Sequence, residues 1–293
     1  MIPRFLEYLE VEKRYSPNTI TSYRKDLEDF SLFLLSTENQ QDLRQVDKKI
    51  VRNFLISLNE KEFSKRSINR KISTLKSFYL FLLKISEIKT SPLENISTLK
   101  FYPEKQTPFS SEELQNLGDI LQQENTPLLD KLILETLYQT GMRRAEICSL
   151  LLENVDFSKN EITIIGKGNK ERIMPISLPL TQELKNYADK HRQASISAKK
   201  YFFVSPKGKK ITEKFVYLIT NYYLSLVSLK KKRSPHILRH SFATHILNNG
   251  AEISKVKKLM GHSSLASTQV YTNANIEQLK SIFKKAHPRS KKE

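Results

Sequence analysis

The chain has 293 residues, of which 49 are lysine or arginine and 31 are aspartate or glutamate, so its formal net charge is +18. These positive charges are dispersed along the chain instead of concentrated in one amphipathic helix, which predicts nucleic acid, not a membrane surface, as the polyanionic partner. A single cysteine excludes an intrachain disulfide and a multi-cysteine metal site, and neither a membrane span nor a signal peptide is evident, so we expect a cytoplasmic, nucleoid-associated protein.

Residues 1–88 predict a small all-α domain. This stretch contains no glycine, and Ser16 followed by Pro17 is typical of a helix start, after which apolar residues recur every three or four positions. Two further helices are predicted over residues 47–60 and 64–84. The basic residues of the last helix either form an ordinary solvated face or contact a phosphate backbone, and the pattern alone leaves both alternatives open.

Residues 89–108 are predicted to link two domains. They contain three prolines, and the helical pattern ends where they begin. A fresh helix start follows at once, because Ser110 and Glu113 have the spacing of a capping box. Gly141 then suits the exit from a later helix.

Residues 109–293 predict a larger, mostly α domain with one β-hairpin. Two runs rich in β-forming residues, 162–165 and 172–176, flank a polar, glycine-containing turn, while the segments after them have helical periodicity. We expect residues 288–293 to be frayed. The predicted fold class is therefore mainly α: a small all-α domain plus a larger, mostly α domain containing a small β-hairpin.

The segment "HILRH" carries two histidines, four positions apart on a predicted helix. A zinc-protease motif would require a glutamate after the first histidine, and Ile237 stands there. His236 and Arg239 are one turn apart and can face the same pocket, where a cation and an imidazole suit a phosphate oxygen. A helix with solvated polar residues explains the same fragment equally well.

Two other segments also allow two interpretations. "GKGNKER" lacks the pattern of a phosphate-binding loop, so Lys167 is either a solvated turn residue or a lysine that reaches towards nucleic acid. In "TGMRRAEI", Arg143 and Glu146 form either a weak surface pair or an arginine that a buried acid orients towards an anion. The neighbouring Cys148 is expected to be buried in its helix.

The stretch "GHSSLASTQVYT" ends in a polar run that contains Tyr271, and taken by itself it allows either an incidental hairpin or helix-end tyrosine or a nucleophile. A phenol is a weak nucleophile at neutral pH, because its pKa is about 10. Two arginines can stabilise the non-bridging oxygens of a phosphodiester, a lysine can protonate the departing oxygen, and histidines can hydrogen-bond the phosphate. Taken together, the motifs supply what phosphoryl transfer by a tyrosine requires without a metal ion.

The order and spacing of these motifs resemble the tyrosine recombinase (phage integrase) family over nearly the whole chain. "TGMR" resembles the family's first-arginine motif, "GKG" its hairpin lysine, "HILRH" its H-x-L-R-H box, "LMGHSS" its second histidine box and "TQVYT" its nucleophile segment. The resemblance implies a SAM-like core-binding domain at residues 1–88 and a catalytic domain at residues 109–293. It also implies that no cofactor, metal ion or ATP is needed.

The resemblance assigns roles residue by residue. Arg143 is the first catalytic arginine, Lys167 is the general acid for the leaving 5′-hydroxyl, and Tyr271 forms the covalent 3′-phosphotyrosine. The scissile phosphate is contacted by three further residues: His236, Arg239 and His262. Glu146 corresponds to the acid that braces the first arginine, His240 is a supporting residue behind the site, and Arg144 has no assigned role.

Within the family, the N-terminal segment "YSPNTITSYRKDLEDF" resembles the core-binding domain of bacterial Xer recombinases, and "FKKAHPRS" resembles the tails of their XerC branch. The resemblance implies a tetramer on two copies of a specific double-stranded DNA site, with protomer contacts through the C-terminal helix and exchange through a Holliday junction. A hetero-tetramer with a second Xer recombinase and activation by an FtsK-type translocase are left open.

Chromosome dimer resolution is the predicted role, and three alternatives are kept. Asn273 stands where the relatives often have histidine, which leaves a mobile-element or phage integrase open. A type IB topoisomerase would use the same chemistry without a recombination site. A catalytically inert, architectural DNA-binding protein would keep the fold without needing Lys167 or Tyr271.

Overall fold

The computed structural model describes residues 1–102, 106–166, 170–260 and 273–291. The chain divides into two compact units, Met1–Glu104 and Lys105–Glu293, each with its own hydrophobic core. None of the helices in the described ranges is both long and apolar enough to cross a membrane. Both units are mainly helical, which confirms the fold class expected from the sequence.

Four helices form the first unit: α1 Ile2–Val11, α2 Pro17–Glu38, α3 Lys48–Glu60 and α4 Lys65–Lys84. The predicted start of α2 is confirmed, because the Ser16 hydroxyl accepts a hydrogen bond from the backbone N–H of Thr19 and Pro17 occupies the first turn. The core consists of the apolar stripes that the sequence pattern indicates, with Leu27, Phe30 and Phe78 completely buried.

A buried ionic network joins α2 to α4. Asp26 is wholly buried and accepts hydrogen bonds from Arg70 at 2.5 Å, Lys71 at 3.1 Å and Thr74 at 2.9 Å. Lys71 also donates to Asp29 at 2.5 Å and is only 2% exposed. At Lys71, therefore, neither interpretation of the basic face is right, because its ammonium group is inside the unit and paired.

The proline-containing segment after α4 packs on the first unit for part of its length. Leu93 and Ile96 are buried in that unit's core, and the Asn69 side chain hydrogen-bonds both the N–H and the C=O of Leu99. The predicted linker, residues 89–108, thus begins with a packed stretch, and its residues 103–105 lie outside the described residues.

The second unit contains the remaining helices: α5 Ser111–Leu121, α6 Leu128–Thr140, α7 Arg144–Ser149, α8 Leu178–Asn186, α9 Glu213–Val227, α10 Pro235–Asn248, α11 Ile253–Met260 and α12 Asn273–Ala286. The capping box predicted at the start of α5 is confirmed, with the Ser110 hydroxyl accepting from the Glu113 N–H and the Glu113 carboxylate accepting from the Ser110 N–H. Gly141 ends α6 in the left-handed conformation, at φ +58°.

A three-stranded antiparallel sheet follows α7, in the order β1 Val155–Asp156, β2 Glu161–Ile165 and β3 Glu171–Pro175. Strands β2 and β3 are the predicted hairpin, with Ile164 opposite Arg172. Strand β1 was not predicted, because two residues are too short to show an alternating pattern.

The C-terminal segment packs against its own unit. Phe283 and Ala286 are buried, and His287 is completely inaccessible to solvent, with its ring stacked on that of Phe283. Arg289 forms an ion pair with Glu135 on α6 at 2.9 Å. The expectation of a frayed tail is therefore wrong for residues 288–291, which form a 3₁₀ turn held by this pair.

Candidate active site

Glu146, on the first turns of α7, lies at the centre of a cluster of arginines and is 7% exposed. Its carboxylate accepts hydrogen bonds from the backbone N–H of Arg143 at 2.7 Å and from Arg143 Nη1 at 2.8 Å. Arg172 on β3 donates to both carboxylate oxygens, at 3.1 and 2.6 Å. Arg239 Nη1 on α10 is 4.0 Å from Glu146 Oε2. A buried acid therefore orients Arg143, as the second interpretation of "TGMRRAEI" requires.

Electrostatics leave this cluster strongly positive. Burial alone would raise the pKa of Glu146, but its hydrogen bonds from Arg172 and Arg143 outweigh this effect and lower it, so the carboxylate is charged at neutral pH. Burial and the charges of Arg143 and Arg172 lower the pKa of Arg239 to about 10, at which the guanidinium is still protonated at neutral pH. Three guanidinium groups thus face one carboxylate, which favours an additional anion at the site.

Arg239 ties two chain segments together at the cluster. Its guanidinium donates to the carbonyl of Gly141, at the end of α6, and to the carbonyl of Met260, at the end of α11. The left-handed turn at Gly141 lets the chain leave α6 and place Arg143 as the N-terminal flanking residue of α7. The short connection between α6 and α7 is thereby fixed beside α10.

His236 lies at the exposed side of α10, three residues before Arg239. Partial burial, followed by the positive charges of Arg144, Arg239 and Arg143, lowers its pKa, so its ring is neutral at neutral pH and can accept a proton. His240, the next residue after Arg239, is also exposed, and its imidazole forms no hydrogen bond with a residue of the described ranges.

Lys167, His262 and Tyr271 lie outside the described residues, as do their neighbours in 167–169 and 261–272. Two described residues next to these segments, Gly166 and Met260, lie at the arginine cluster. Gly166 lies beside the cluster, since a Cβ there would be in ordinary van der Waals contact, 3.6 Å from Glu146 Oε1 and 3.7 Å from Arg172 Nη1. Met260, two residues before His262, accepts the hydrogen bond from Arg239. The chain therefore lies beside the cluster just before residues 167–169 and is hydrogen-bonded to it just before residues 261–272.

Arg172 is the member of the cluster that sequence reasoning missed. It lies on the same face of β3 as Met174, and both are buried. A charged residue at a core-facing position of an alternating strand requires a buried partner of opposite charge, and that was the available signal. Its partner could not be identified, because Glu146 lies on a separate helix.

Two other residues of α7, Arg144 and Cys148, have structural roles. Arg144 pairs with Glu213 at the first turn of α9, at 2.6 Å, and so joins α7 to α9. Cys148 is buried, as expected, and burial raises the pKa of its thiol to about 11, so it is not a reactive thiolate. Among the side chains that the structure describes, three or more His, Cys, Asp or Glu are nowhere grouped so that they could hold a metal ion.

Comparison with known proteins finds similarity over almost the entire chain. Residues 108–278 match the model of the phage integrase family, and residues 2–85 match its N-terminal SAM-like domain. The chain is 38% identical to the tyrosine recombinase XerC of Lacticaseibacillus casei (strain BL23), over 98% of both chains. It is 39% identical to that of Listeria monocytogenes serotype 4a (strain HCC23), over 98% of this chain and 97% of the other.

Solved structures share the fold. The Tn1549 transposon integrase in complex with transposon right end DNA matches with a TM-score of 0.72 and 16% identity, over 96% of this chain and 98% of the integrase. The XerH site-specific recombinase bound to difH substrate matches with a TM-score of 0.69 and 20% identity, over 97% and 85% of the two chains. At identities of 16% and 20%, these matches show that the fold is shared.

Proposed function

Because this chain belongs to the phage integrase family and is a site-specific tyrosine recombinase, we propose that it resolves chromosome dimers by Xer-type recombination at a specific site in double-stranded DNA. Support for the Xer role is the full-length similarity to XerC proteins, which covers the small N-terminal domain as well as the catalytic one. The observation that carries the chemistry is the buried Glu146 with Arg143 and Arg239 beside it, a positively charged site suited to a phosphate.

The reaction begins with attack by the Tyr271 hydroxyl oxygen on the scissile phosphorus. A phosphorus–oxygen bond to Tyr271 forms, the bond to the 5′ oxygen breaks, and Lys167 donates the proton that the departing 5′ oxygen needs. The product is a 3′-phosphotyrosine, which retains the energy of the broken phosphodiester. Religation to another 5′-hydroxyl is the same reaction in reverse, so neither ATP nor a metal ion is required.

Two arginines and two histidines act at the phosphate itself. Arg143 and Arg239 donate to the non-bridging oxygens, where negative charge builds up in the transition state, and two oriented guanidinium groups can stabilise it in a protected site. His236, whose pKa is lowered, is suited to accept the proton of the nucleophile. His262 hydrogen-bonds the same phosphate, and His240 supports the site from behind.

Residues 1–88 form the core-binding domain, 89–108 the linker and 109–293 the catalytic domain in this proposal. The net charge of +18 supports binding of the DNA backbone through release of counterions. Four protomers assemble on two sites and exchange strands in pairs through a Holliday junction. A second Xer recombinase can supply two of these protomers, an FtsK-type translocase can activate them, and the protein acts at the nucleoid in the cytoplasm.

The test is covalent capture of DNA. The purified chain is incubated in excess EDTA with sheared genomic DNA of its source, denatured, and the protein–DNA adducts are sequenced. The wild type and the control Tyr222→Phe, which alters an exposed tyrosine of α9, are expected to yield adducts at one site, and Tyr271→Phe is expected to yield none. Adducts formed by Tyr271→Phe would disprove the assignment of the nucleophile.

The captured sequence also separates the proposed role from its alternatives. A palindromic site near the replication terminus supports dimer resolution, whereas the ends of a mobile element would identify an integrase. Binding to a site without any adduct would identify an architectural protein. Relaxation of supercoiled plasmids that lack the site would indicate topoisomerase activity.

A further inference from the structure

Arg172 has no place in the six-residue set that the proposed reaction uses, yet it makes more contacts with Glu146 than Arg143 does through its side chain. Its side chain is 4% exposed, and its two Nη groups each donate a hydrogen bond to one oxygen of the carboxylate. Its Nε is buried and has no hydrogen-bond partner among the described residues. Within the described part of the chain, the terminal nitrogens of Arg172 therefore bind Glu146 alone.

Arg172 and Arg143 both bind the Glu146 carboxylate, but the Arg172 side chain is buried and that of Arg143 is partly exposed. Arg172 approaches Glu146 from the interior, whereas the Arg143 side chain is 37% exposed and reaches the carboxylate through Nη1 only. Since Arg172 occupies both oxygens, Arg143 forms no second side-chain bond to a described residue, and its other N–H groups are left for a ligand. A carboxylate without Arg172 would instead favour a two-pronged pair with Arg143, which is the usual geometry of a guanidinium and a carboxylate.

We infer that Arg172 is a positioning residue, which holds Glu146 so that the guanidinium of Arg143 stays available for the scissile phosphate. This inference rests on the proposed function, because it assumes that Arg143 contacts the phosphate. Arg172 acts through Glu146 and need not touch DNA. Its location on β3, opposite Ile164 in the hairpin, also fixes the base of that hairpin beside the phosphate site.

The first measurement is single-turnover cleavage of a nicked duplex that carries the captured site. For Arg172→Gln we expect cleavage at saturating protein to slow by about 100-fold, the order found when one oriented donor of a charge-stabilising site is lost. The DNA concentration that gives half-maximal binding should change by less than about threefold, because binding to the DNA phosphate backbone depends on many dispersed cations. Arg172→Lys restores the charge without the two-pronged geometry and is expected to recover only part of the rate.

A matched control separates positioning from loss of any ion pair. Lys131→Gln removes the pair between Lys131 on α6 and Glu183 on α8, at 2.7 Å, in the same unit but away from the arginines. Cleavage by this variant should equal that of the wild type. Circular dichroism and melting temperature of each variant show how much folded protein is present, and rates are compared per folded molecule.

The decisive measurement uses two altered phosphates at the cleavage position. A methylphosphonate lacks the charge on one non-bridging oxygen, so it lessens the need for Arg143, and the defects of Arg172→Gln and Arg143→Ala should shrink by similar factors. A 5′-bridging sulfur leaves without protonation, so it should relieve the defect of Lys167→Ala and not that of Arg172→Gln.

Three results would overturn the inference: wild-type cleavage by Arg172→Gln, rescue of this variant by the bridging sulfur, or a defect that the methylphosphonate leaves unchanged. The first would mean that Arg172 is dispensable, the second that it acts on the leaving group, and the third that its role is only structural. If the wild type itself forms no adduct, the proposed function fails, whereas failure of Arg172 alone leaves that function standing.

Discussion

Replacing Gly141 with alanine tests how the turn between α6 and α7 supports the arginine cluster. Gly141 has φ +58°, a conformation that L-residues adopt at a cost, and its carbonyl accepts a hydrogen bond from Arg239. A Cβ added there would lie 2.7 Å from Cδ1 of Phe242, which is completely buried in α10. Two separate penalties therefore act on the variant.

Their magnitudes can be added from known cases. The left-handed conformation costs an alanine about 1–2 kcal/mol relative to glycine. The clash with Phe242 is a case of overpacking in a core that cannot yield, for which about 1–3 kcal/mol is typical. Gly141→Ala should therefore lower the free energy of unfolding of the second unit by about 2–5 kcal/mol, a large part of the usual stability of a domain.

Gly250→Ala is the matched control. Gly250 also follows a helix with positive φ, +89°, but it is exposed and a Cβ there would meet no atom within 4 Å. It should lose only the conformational part, about 1–2 kcal/mol. Urea unfolding of the full chain, followed by hydrogen exchange in peptides from α6 and α10, reports on the second unit. Adduct formation should fall more for the Gly141 variant, because displacement of Phe242 moves Arg239.

Equal losses for the two variants would refute the predicted clash between Gly141 and Phe242. A neutral effect of Gly141→Ala would refute the left-handed turn itself.

Two further predictions concern buried ionisable groups. Asp26→Asn should lower the free energy of unfolding of the first unit by about 3–5 kcal/mol, measured in urea, because it disrupts the buried network with α4. The control Glu12→Gln, in an exposed pair, should change it by no more than about 1 kcal/mol. Equal effects of the two variants would contradict the burial of Asp26. Burial lowers the pKa of His287 to about 3. Below about pH 6.5, therefore, the unfolded state binds a proton that the folded state does not. As the pH falls further, the free energy of unfolding should decrease by up to about 1.4 kcal/mol per pH unit. Hydrogen exchange at the C-terminus between pH 7 and 4.5 measures this fall, which His287→Gln should reduce and the exposed His191→Gln should not alter.

Features that a few neighbouring residues encode were predictable from the sequence. The starts of α2 and α5 follow from Ser16 and Ser110, whose hydroxyls accept hydrogen bonds from N–H groups three residues later. The end of α6 follows from Gly141, and the hairpin follows from two β-rich runs around a polar turn. In each case the chemistry lies within one turn or one loop.

Pairings between distant elements were not predictable. Arg172 reads as an ordinary polar strand residue until Glu146 is placed beside it. Lys71 reads as part of a solvated basic face until Asp26 and Asp29 approach from α2. The C-terminal Arg289 reads as part of a charged tail, since its partner on α6 lies far away in sequence. Charge and periodicity indicate that such residues need partners, but only the tertiary structure selects them.

The Arg239 contacts have a consequence for how the protein is made. Arg239 lies 98 residues after Gly141, whose carbonyl it binds, so the arginine cluster is completed by a contact of long sequence separation. A polypeptide still emerging from the ribosome can form α6 and α7, but it lacks Arg239 until α10 has emerged. Such contacts of high sequence separation form late, because the entropy of the intervening chain must be lost first. Chains that end before α10, whether nascent or truncated, therefore lack Arg239 and the proposed nucleophile Tyr271, and we expect them to form no DNA adduct.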